Sequence, residues 1–208
     1  MAPGREGFFF DVANEEQDGV IPSDPTYGNA PPLIYEYEPE RYVVYWFFYG
    51  FSGRKLDKHE GDWERIVVRL SEGDRASETA YYQHFCDPLD PSTDYGNYSW
   101  GEMAYNGFLV DDLHPTVYSA IAGHPSFPTD VENEIFPCEI NNGLGDRTAS
   151  GGVEWRTWEG ELRDAAEEPW YGAGVGWGAK IGAGTGWGPL GPGWPMEFSD
   201  GPAAPAGW

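Results

Sequence analysis

Apolar and polar residues alternate over short segments through the first two thirds of the chain. Residues 33–37 and 42–51 are dominated by aromatic and β-branched side chains, a composition typical of strands. Residues 65–70 alternate with a period of two, which indicates a third strand. Three further strands are predicted, at 79–85, at about 102–110 and at 116–122. Regular short strands separated by turns predict an all-β protein, folded as an antiparallel β-sandwich.

The regions on either side of the predicted core, 33–171, lack this alternation. Residues 1–32 are rich in Pro, Gly and Asn and predict a long irregular arm. Residues 154–168 carry apolar residues at spacings of three and four, which fits either a helix or a strand followed by a short helical turn. Residues 172–208 are rich in Gly and Trp, and we expect this segment to wrap the domain with its indoles docked in grooves. A lectin-like stacking face is the alternative.

Composition narrows the function classes. With 208 residues and 40% hydrophobic content, the chain is long enough for one buried core, and 29 Gly and 18 Pro favour many turns over long helices. The net charge is −23, so the chain lacks the basic surface that nucleic-acid binding requires. No run of about 20 apolar residues and no signal-like start is present, so we expect a soluble protein of undetermined compartment. Cys86 and Cys138 form either one disulfide or two free thiols.

The segment with the clearest chemistry is His-Glu-Gly-Asp-Trp-Glu at residues 59–64. It opens the predicted third strand, and the period of two places Asp62 and Glu64 on the side of Ile66, toward the core. Trp63 then points away from the two acids. Buried carboxylates are costly unless they are neutralised, and a divalent cation beside His59 would neutralise them. The segment therefore predicts a metal site.

The predicted ligands are His59, Asp62 and Glu64, with Asp57 as a fourth. Carboxylates with one imidazole favour Mg²⁺ or Ca²⁺, with Mn²⁺ or Zn²⁺ as further options. We expect a β-bulge at Gly61 to turn His59 and Asp62 toward one point.

From the same alternation we expect Glu60 to be exposed to solvent. The competing interpretation of the motif is a strand start whose acids are neutralised by arginines. The candidate partners are Arg41, Arg54 and Arg65.

Three other histidines lie outside this motif. His84 and His124 are candidates for a general base or acid, although a hydrogen-bonded side chain at a strand end is the alternative for each. His114 precedes a proline at a predicted turn and is expected to be structural.

In this order the motifs resemble the vacuolar-protein-sorting-62-like family. The resemblance rests on residues 59–64, the aromatic strand at 42–51 and, downstream, Tyr-Gln-His at 82–84, the 115–124 region and Gly-Pro-Leu-Gly-Pro-Gly at 188–193. The chain is also more distantly similar to the necrosis- and ethylene-inducing cytolysins, whose hallmark is Gly-His-Arg-His-Asp-Trp-Glu.

The resemblance implies a β-sandwich that holds a divalent metal at one end of its sheets. In the cytolysin branch the metal helps to engage a sphingolipid sugar head group before membrane damage. By position, the implied metal ligands are His59, Asp62 and Glu64. Gly61 stands where the cytolysins have their second histidine, a departure that puts toxicity in doubt.

Three functions are compatible with these residues. The first is a non-enzymatic, metal-dependent binder of a glycan or lipid head group. The second is a metal-dependent hydrolase that uses His84 or His124. The third is a structural or assembly component. Whether the protein is an enzyme, and its oligomeric state, are left open.

Overall fold

The computed structural model describes residues 32–53, 59–83, 95–130, 148, 154–172, 177 and 191–193. Nearly all of the predicted N-terminal arm and most of the Gly/Trp-rich segment lie outside these ranges, as do Asp57, His84, Cys86 and Cys138.

Most of the described residues that have regular secondary structure belong to β-strands. In chain order the elements are β1 (Leu33–Glu38), β2 (Tyr42–Ser52), β3 (His59–Ser71), β4 (Arg75–Tyr82), β5 (Tyr95–Ser99), α1 (Trp100–Tyr105), β6 (Leu109–Val110), β7 (His114–Pro115), β8 (Tyr118–Ser119), β9 (Ser126–Phe127) and β10 (Leu162–Asp164). Two 3₁₀ helices, Thr157–Glu159 and Ala165–Glu167, flank β10.

These strands form one large sheet and two short ribbons. The sheet has six strands in the order β10-β1-β2-β3-β4-β5, and only the β1–β10 pair is parallel. The ribbons are β6–β7 and β8–β9. The predicted all-β class is confirmed. The sandwich arrangement is not confirmed, because the described strands make a single large sheet.

Both faces of the central strands are covered. On one face Trp46, Trp63 and Val67 belong to one buried cluster. On the other face Phe47 and Ile66 belong to a second. This double burial explains why the aromatic run of β2 shows little polar alternation, since neither side of the strand faces water.

The predictions for the first three strands agree with the observed bounds to within one residue, apart from the start of the third, which the motif itself opens. The fourth strand begins earlier than predicted, at Arg75.

The strand predicted at about 102–110 is wrong except for its last two residues, which form β6. Residues 100–105 form α1, because Ser99 and Glu102 make a reciprocal capping box. The Ser99 hydroxyl accepts from the Glu102 N–H at 3.2 Å, and a Glu102 carboxylate oxygen accepts from the Ser99 N–H at 2.8 Å. These bonds satisfy donors at the helix start, and local capping therefore overrides the apolar pattern. The strand predicted at 116–122 is reduced to the two residues of β8.

The two interpretations of residues 154–168 are resolved in favour of a short strand with helical turns. β10 pairs with the edge of the sheet at Leu33, and a 3₁₀ turn follows it directly. Among the described residues, no helix is long and apolar enough to cross a membrane.

One indole of the Gly/Trp-rich segment docks on the sheet as predicted. Trp177 packs against Trp63 and Phe48, with ring centroids 5.3 and 5.7 Å apart. Gly191 approaches the same place so closely that a Cβ atom on it would lie 2.7 Å from Nε1 of Trp63. Trp187 and Trp194 lie outside the described residues.

Candidate site at the start of strand β3

The first residues of β3 carry the candidate site. Asp62 pairs directly with Tyr49 of β2, and Glu64 pairs with Phe47. Directly opposed residues of an antiparallel pair share a face of the sheet, so both acids lie on the face of the second cluster. Asp62 is 4% exposed and Glu64 is 1% exposed. The prediction that the two acids point inward is confirmed.

Two histidines approach the Asp62 carboxylate from different parts of the chain. Nδ1 of His124 lies 2.9 Å from Oδ2 of Asp62. Nε2 of His59 lies 3.9 Å from Oδ1, the other oxygen. An ionised carboxylate can only accept, so the His124 Nδ1–H donates to it. In the neutral imidazole this bond places the proton on Nδ1 and leaves Nε2, on the far side of the ring from Asp62, as the acceptor nitrogen.

His124 is held in place by the turn between β8 and β9. Its backbone has a φ of 57°, a left-handed conformation that costs a non-glycine residue about 1–3 kcal/mol unless its surroundings enforce it. The turn is closed by a 3.0 Å bond from the Ala120 N–H to the Pro125 carbonyl, and it is tied to the end of β2 through Gly53 and Ala122. The fold therefore maintains the backbone conformation that brings His124 to Asp62.

Tyr49 supports the His124 ring from the sheet. The two rings are stacked, with centroids 4.1 Å apart and planes within 3° of each other. Burial is the main cause that raises the pKa of the Tyr49 phenol, and the carboxylates of Glu64 and Asp62 raise it further, while a hydrogen bond with Ser119 lowers it. Tyr49 is therefore a neutral phenol at physiological pH. No local pattern indicates this role of Tyr49, because only the β2–β3 register places it opposite Asp62.

The arginines considered as alternative partners lie elsewhere where they are described. Arg65 points to the opposite face of β3, where its guanidinium stacks 4.0 Å from the ring centroid of Tyr82. Arg41 pairs with Glu38. Arg54 lies outside the described residues. Neither Arg41 nor Arg65 is thus placed to neutralise Asp62.

Two expectations about the motif are wrong. Glu60 is buried, with 7% of its surface exposed, because the unbroken β2–β3 register places it on the same buried face as Asp62 and Glu64. No β-bulge occurs at Gly61, since the β2–β3 register is unbroken on both sides of it. The structure requires glycine at position 61 for two other reasons. Its φ is 65°, which favours glycine, and a Cβ atom on it would lie 2.4 Å from the carbonyl oxygen of Trp177. The glycine admits the C-terminal segment to the sheet.

The predicted ligands are brought together only in part. His59, Asp62 and Glu64 lie at one end of β3, and His124 joins them, while Asp57 and His84 lie outside the described residues. Within the described ranges, no group of three or more His, Cys, Asp or Glu side chains forms a metal site on its own. His114 stacks on Trp158 with ring centroids 4.1 Å apart, which fits its expected structural role.

The fit of a cation can be tested on the distance between His59 and Asp62. Two ligands that each lie about 2.1 Å from one cation are separated by at most about 4.2 Å. The observed separation of 3.9 Å lies inside this limit and is too long for a hydrogen bond. The two atoms are therefore close enough to share one cation, but the pair alone does not make a metal site, and the remaining ligands would have to come from outside it.

Comparisons of the chain with protein-family models, with curated proteins and with solved structures gave no match. The resemblance to the vacuolar-protein-sorting-62-like family and to the cytolysins thus stays a prediction based on the motifs.

Proposed function

We propose that this protein binds a divalent cation through His59 and Asp62 and uses the cation to hold a glycan or lipid head group without chemical turnover. The observation that carries the proposal is the 3.9 Å separation of the two ligand atoms in a site where His59 and Asp62 are both at least nine-tenths buried. Glu64 is buried in the same face and adds negative charge. Such a group of acids is costly in a protein interior without a counter-charge.

The residues around the pair suit this role. The bond from His124 to Oδ2 orients the Asp62 carboxylate, so that Oδ1 faces His59. Outer partners of this kind usually fix the direction of a metal ligand. Tyr49 holds the His124 ring by stacking. Asp57, two residues before His59, is the candidate for a further ligand.

The ligand set indicates the class of metal. Carboxylate oxygens with one imidazole suit Mg²⁺, Ca²⁺ or Mn²⁺, and Zn²⁺ is compatible with His and Asp ligands. A cation that keeps open positions supplies a Lewis acid to which hydroxyl groups of a sugar can bind. The net charge of −23 favours a neutral ligand, since an anionic one would be repelled. The similarity to the cytolysins supports a sugar head group.

The first experiment measures metal binding. Purified protein is freed of metal and titrated with Ca²⁺, Mg²⁺, Mn²⁺ and Zn²⁺ by calorimetry. Asp62→Asn and His59→Gln are expected to weaken binding of the preferred metal at least about tenfold, the usual loss for a ligand or its partner. Glu72→Gln and His114→Gln are the matched controls, because Glu72 lies in an exposed turn and His114 stacks on Trp158.

The second experiment asks what the bound metal holds. Glycan arrays and liposomes that contain glycosylated sphingolipids are probed with metal-loaded and with chelated protein. Binding that needs metal and is lost in Asp62→Asn supports the proposal. Equal metal affinity in wild type and both site variants, or ligand binding unchanged by chelator, contradicts it.

The Asp62–His124 hydrogen bond favours a second function, a metal-dependent hydrolase. In this case the oriented His124 accepts a proton through Nε2, as carboxylate-bound imidazoles do in general-base catalysis. Turnover of ester or phosphoester substrates by metal-loaded protein, with kcat/KM lowered about 10²-fold or more by His124→Ala, would support it. A His114→Ala variant with unchanged kcat/KM is the control.

A further inference from the structure

A second buried carboxylate, Glu36, lies on the other face of the sheet and takes no part in the site on β3. Glu36 is in β1, paired with Val44 of β2, and only 5% of its surface is exposed. Its Oε1 accepts a 2.6 Å hydrogen bond from the Gly193 N–H. Its Oε2 is buried and makes no hydrogen bond of normal length and angle among the described residues, although the side chains of Trp46 and Tyr171 lie close enough to lower the pKa of the carboxyl group. A carboxylate oxygen without a donor is costly to bury. A ligand that donates a hydrogen bond to Glu36 would lower this cost.

Glu36 lines a cavity of about 180 Å³ between the sheet and the turn that follows β10. The cavity wall contains two more carboxylates, Glu38 and Asp164, and the phenol rings of Tyr42 and Tyr171. Its volume corresponds to about six water molecules at their volume in the liquid. It is smaller than the usual sites for drug-sized ligands. The cavity can therefore accept a group about as large as a single side chain.

The charges around the cavity are mainly negative. Glu38 is paired with Arg41, and one oxygen of Asp164 caps the following 3₁₀ turn through the Ala166 N–H. Within the described part of the chain, no cation forms a close ion pair with Glu36, although Arg65 is near enough to lower the pKa of its carboxyl group. Burial raises the pKa of Glu36, and the Gly193 N–H, Trp46, Tyr171 and Arg65 offset this rise in part. A cation in the cavity would stabilise the ionised form.

The shape of the acidic group distinguishes between kinds of cation. All three carboxylates lie in the described part of the chain, and they do not converge as a metal site there. A metal ion needs several oxygens at one point. An organic cation instead combines ion pairing with contact to aromatic rings, and phenol rings next to carboxylates are suited to it.

We propose that the cavity at Glu36 binds a small organic cation with a primary ammonium or guanidinium group, whose charge pairs with Glu36 and Asp164 and whose carbon stem packs against Tyr42 and Tyr171. This site goes beyond the proposed function, since it lies on the opposite face of the sheet and uses no residue of the metal site.

The test uses n-butylammonium as the probe and n-butanol as its neutral counterpart of similar size. Binding to the whole chain is measured by saturation-transfer NMR and calorimetry at physiological ionic strength, which screens weak attraction to the acidic surface. n-Butylammonium is expected to bind at least about tenfold more tightly than n-butanol, because loss of a charge-assisted bond in a buried site has about this effect.

Glu36→Gln keeps the size of the side chain and the acceptor for Gly193, and it is expected to weaken n-butylammonium binding at least about tenfold. Asp164→Asn keeps the cap on Ala166 and is expected to weaken binding about threefold or more, so it decides the question if Glu36→Gln does not fold. Glu72→Gln is the matched surface control and should leave binding unchanged.

Equal binding of the two probes, unchanged binding in Glu36→Gln or, if that variant does not fold, in Asp164→Asn, or no saturable binding would overturn the proposal. Asp62→Asn separates the two sites, because it should weaken metal binding at least about tenfold while n-butylammonium binding persists unchanged. Failure at one site thus leaves the other intact.

Discussion

Nδ1 of His124 lies 2.9 Å from Oδ2 of Asp62, and the bond joins a turn to a strand that begins more than sixty positions earlier in the chain. Both residues are at least nine-tenths buried. The bond ties the β8–β9 turn to the start of β3, and it gives one carboxylate an imidazole neighbour on each side, with His59 on the other. This pair is the centre of the candidate site.

The Asp62–His124 bond should contribute measurably to stability. In a double-mutant cycle with Asp62→Asn and His124→Gln, we expect a coupling energy of about 1–3 kcal/mol, because removal of one partner leaves a buried polar group unsatisfied. The free energy of unfolding is measured by denaturation in urea. As a control, Asp62→Asn combined with His114→Gln should be additive to within about 0.5 kcal/mol. Additivity of the Asp62 and His124 substitutions would mean that the bond is absent in solution.

Metal removal should lower the melting temperature. At a free metal concentration 100 times the dissociation constant, binding to the folded state stabilises it by about 2.7 kcal/mol. For a domain of this size, we expect a melting temperature higher by about 5–10 °C than in chelator. Differential scanning fluorimetry measures the shift. Asp62→Asn should reduce it by about half or more, because a tenfold weaker site is stabilised by only about 1.4 kcal/mol at the same metal concentration, and Glu72→Gln should retain it. A shift of the same size in Asp62→Asn would place the metal elsewhere.

Gly61→Ala should destabilise the fold more than Gly73→Ala. Both glycines have a positive φ, 65° and 72°, so alanine carries a backbone cost of about 1–2 kcal/mol at each position. At Gly61 the new Cβ would also lie 2.4 Å from the Trp177 carbonyl oxygen, whereas at Gly73 no atom of the described residues lies within 4 Å of it. We expect an additional cost of about 1–3 kcal/mol at Gly61 from this overlap. Equal losses in denaturation experiments would show that the C-terminal segment does not dock at Gly61.

Glu36 should make the stability depend on pH. Its pKa is raised above the reference value of 4.5, chiefly by burial. Between pH 4.5 and the raised pKa, the folded state binds more protons than the unfolded state, so the contribution of Glu36 to stability falls as the pH rises through this window. Urea denaturation of wild type and Glu36→Gln across this range should show that the variant loses this decline. Asp164→Asn serves for comparison, and parallel pH profiles of wild type and Glu36→Gln would contradict the prediction.

The sequence predicted the inward direction of the two acids better than their surroundings. Asp62 and Glu64 face the core as the period of two required. Glu60 was expected in solvent, yet the same period of two places it on the face of Asp62 and Glu64, and its 7% exposure follows from that position. The local pattern determines the side of a strand to which a residue points. The packing of distant segments determines whether that side is buried or exposed to solvent.

The errors in element type have a similar origin. Residues 102–110 contain an apolar pattern that fits a strand, yet the capping box of Ser99 and Glu102 starts a helix. The bulge at Gly61 was expected because it would turn His59 and Asp62, which are three positions apart, toward one point. Its positive φ instead serves the close approach of Trp177, a contact between residues more than a hundred positions apart that no local pattern contains.

By itself, the sequence determined the β-rich class, the first strands and the face that carries Asp62 and Glu64, because alternation and β-propensity act between neighbouring residues. Only the tertiary structure decided which partners reach that face. The register of β2 and β3 placed Tyr49 opposite Asp62, and the β8–β9 turn delivered His124 to the same carboxylate. Those contacts depend on the packing of segments far apart in the chain, where spacing along the sequence carries no information about distance.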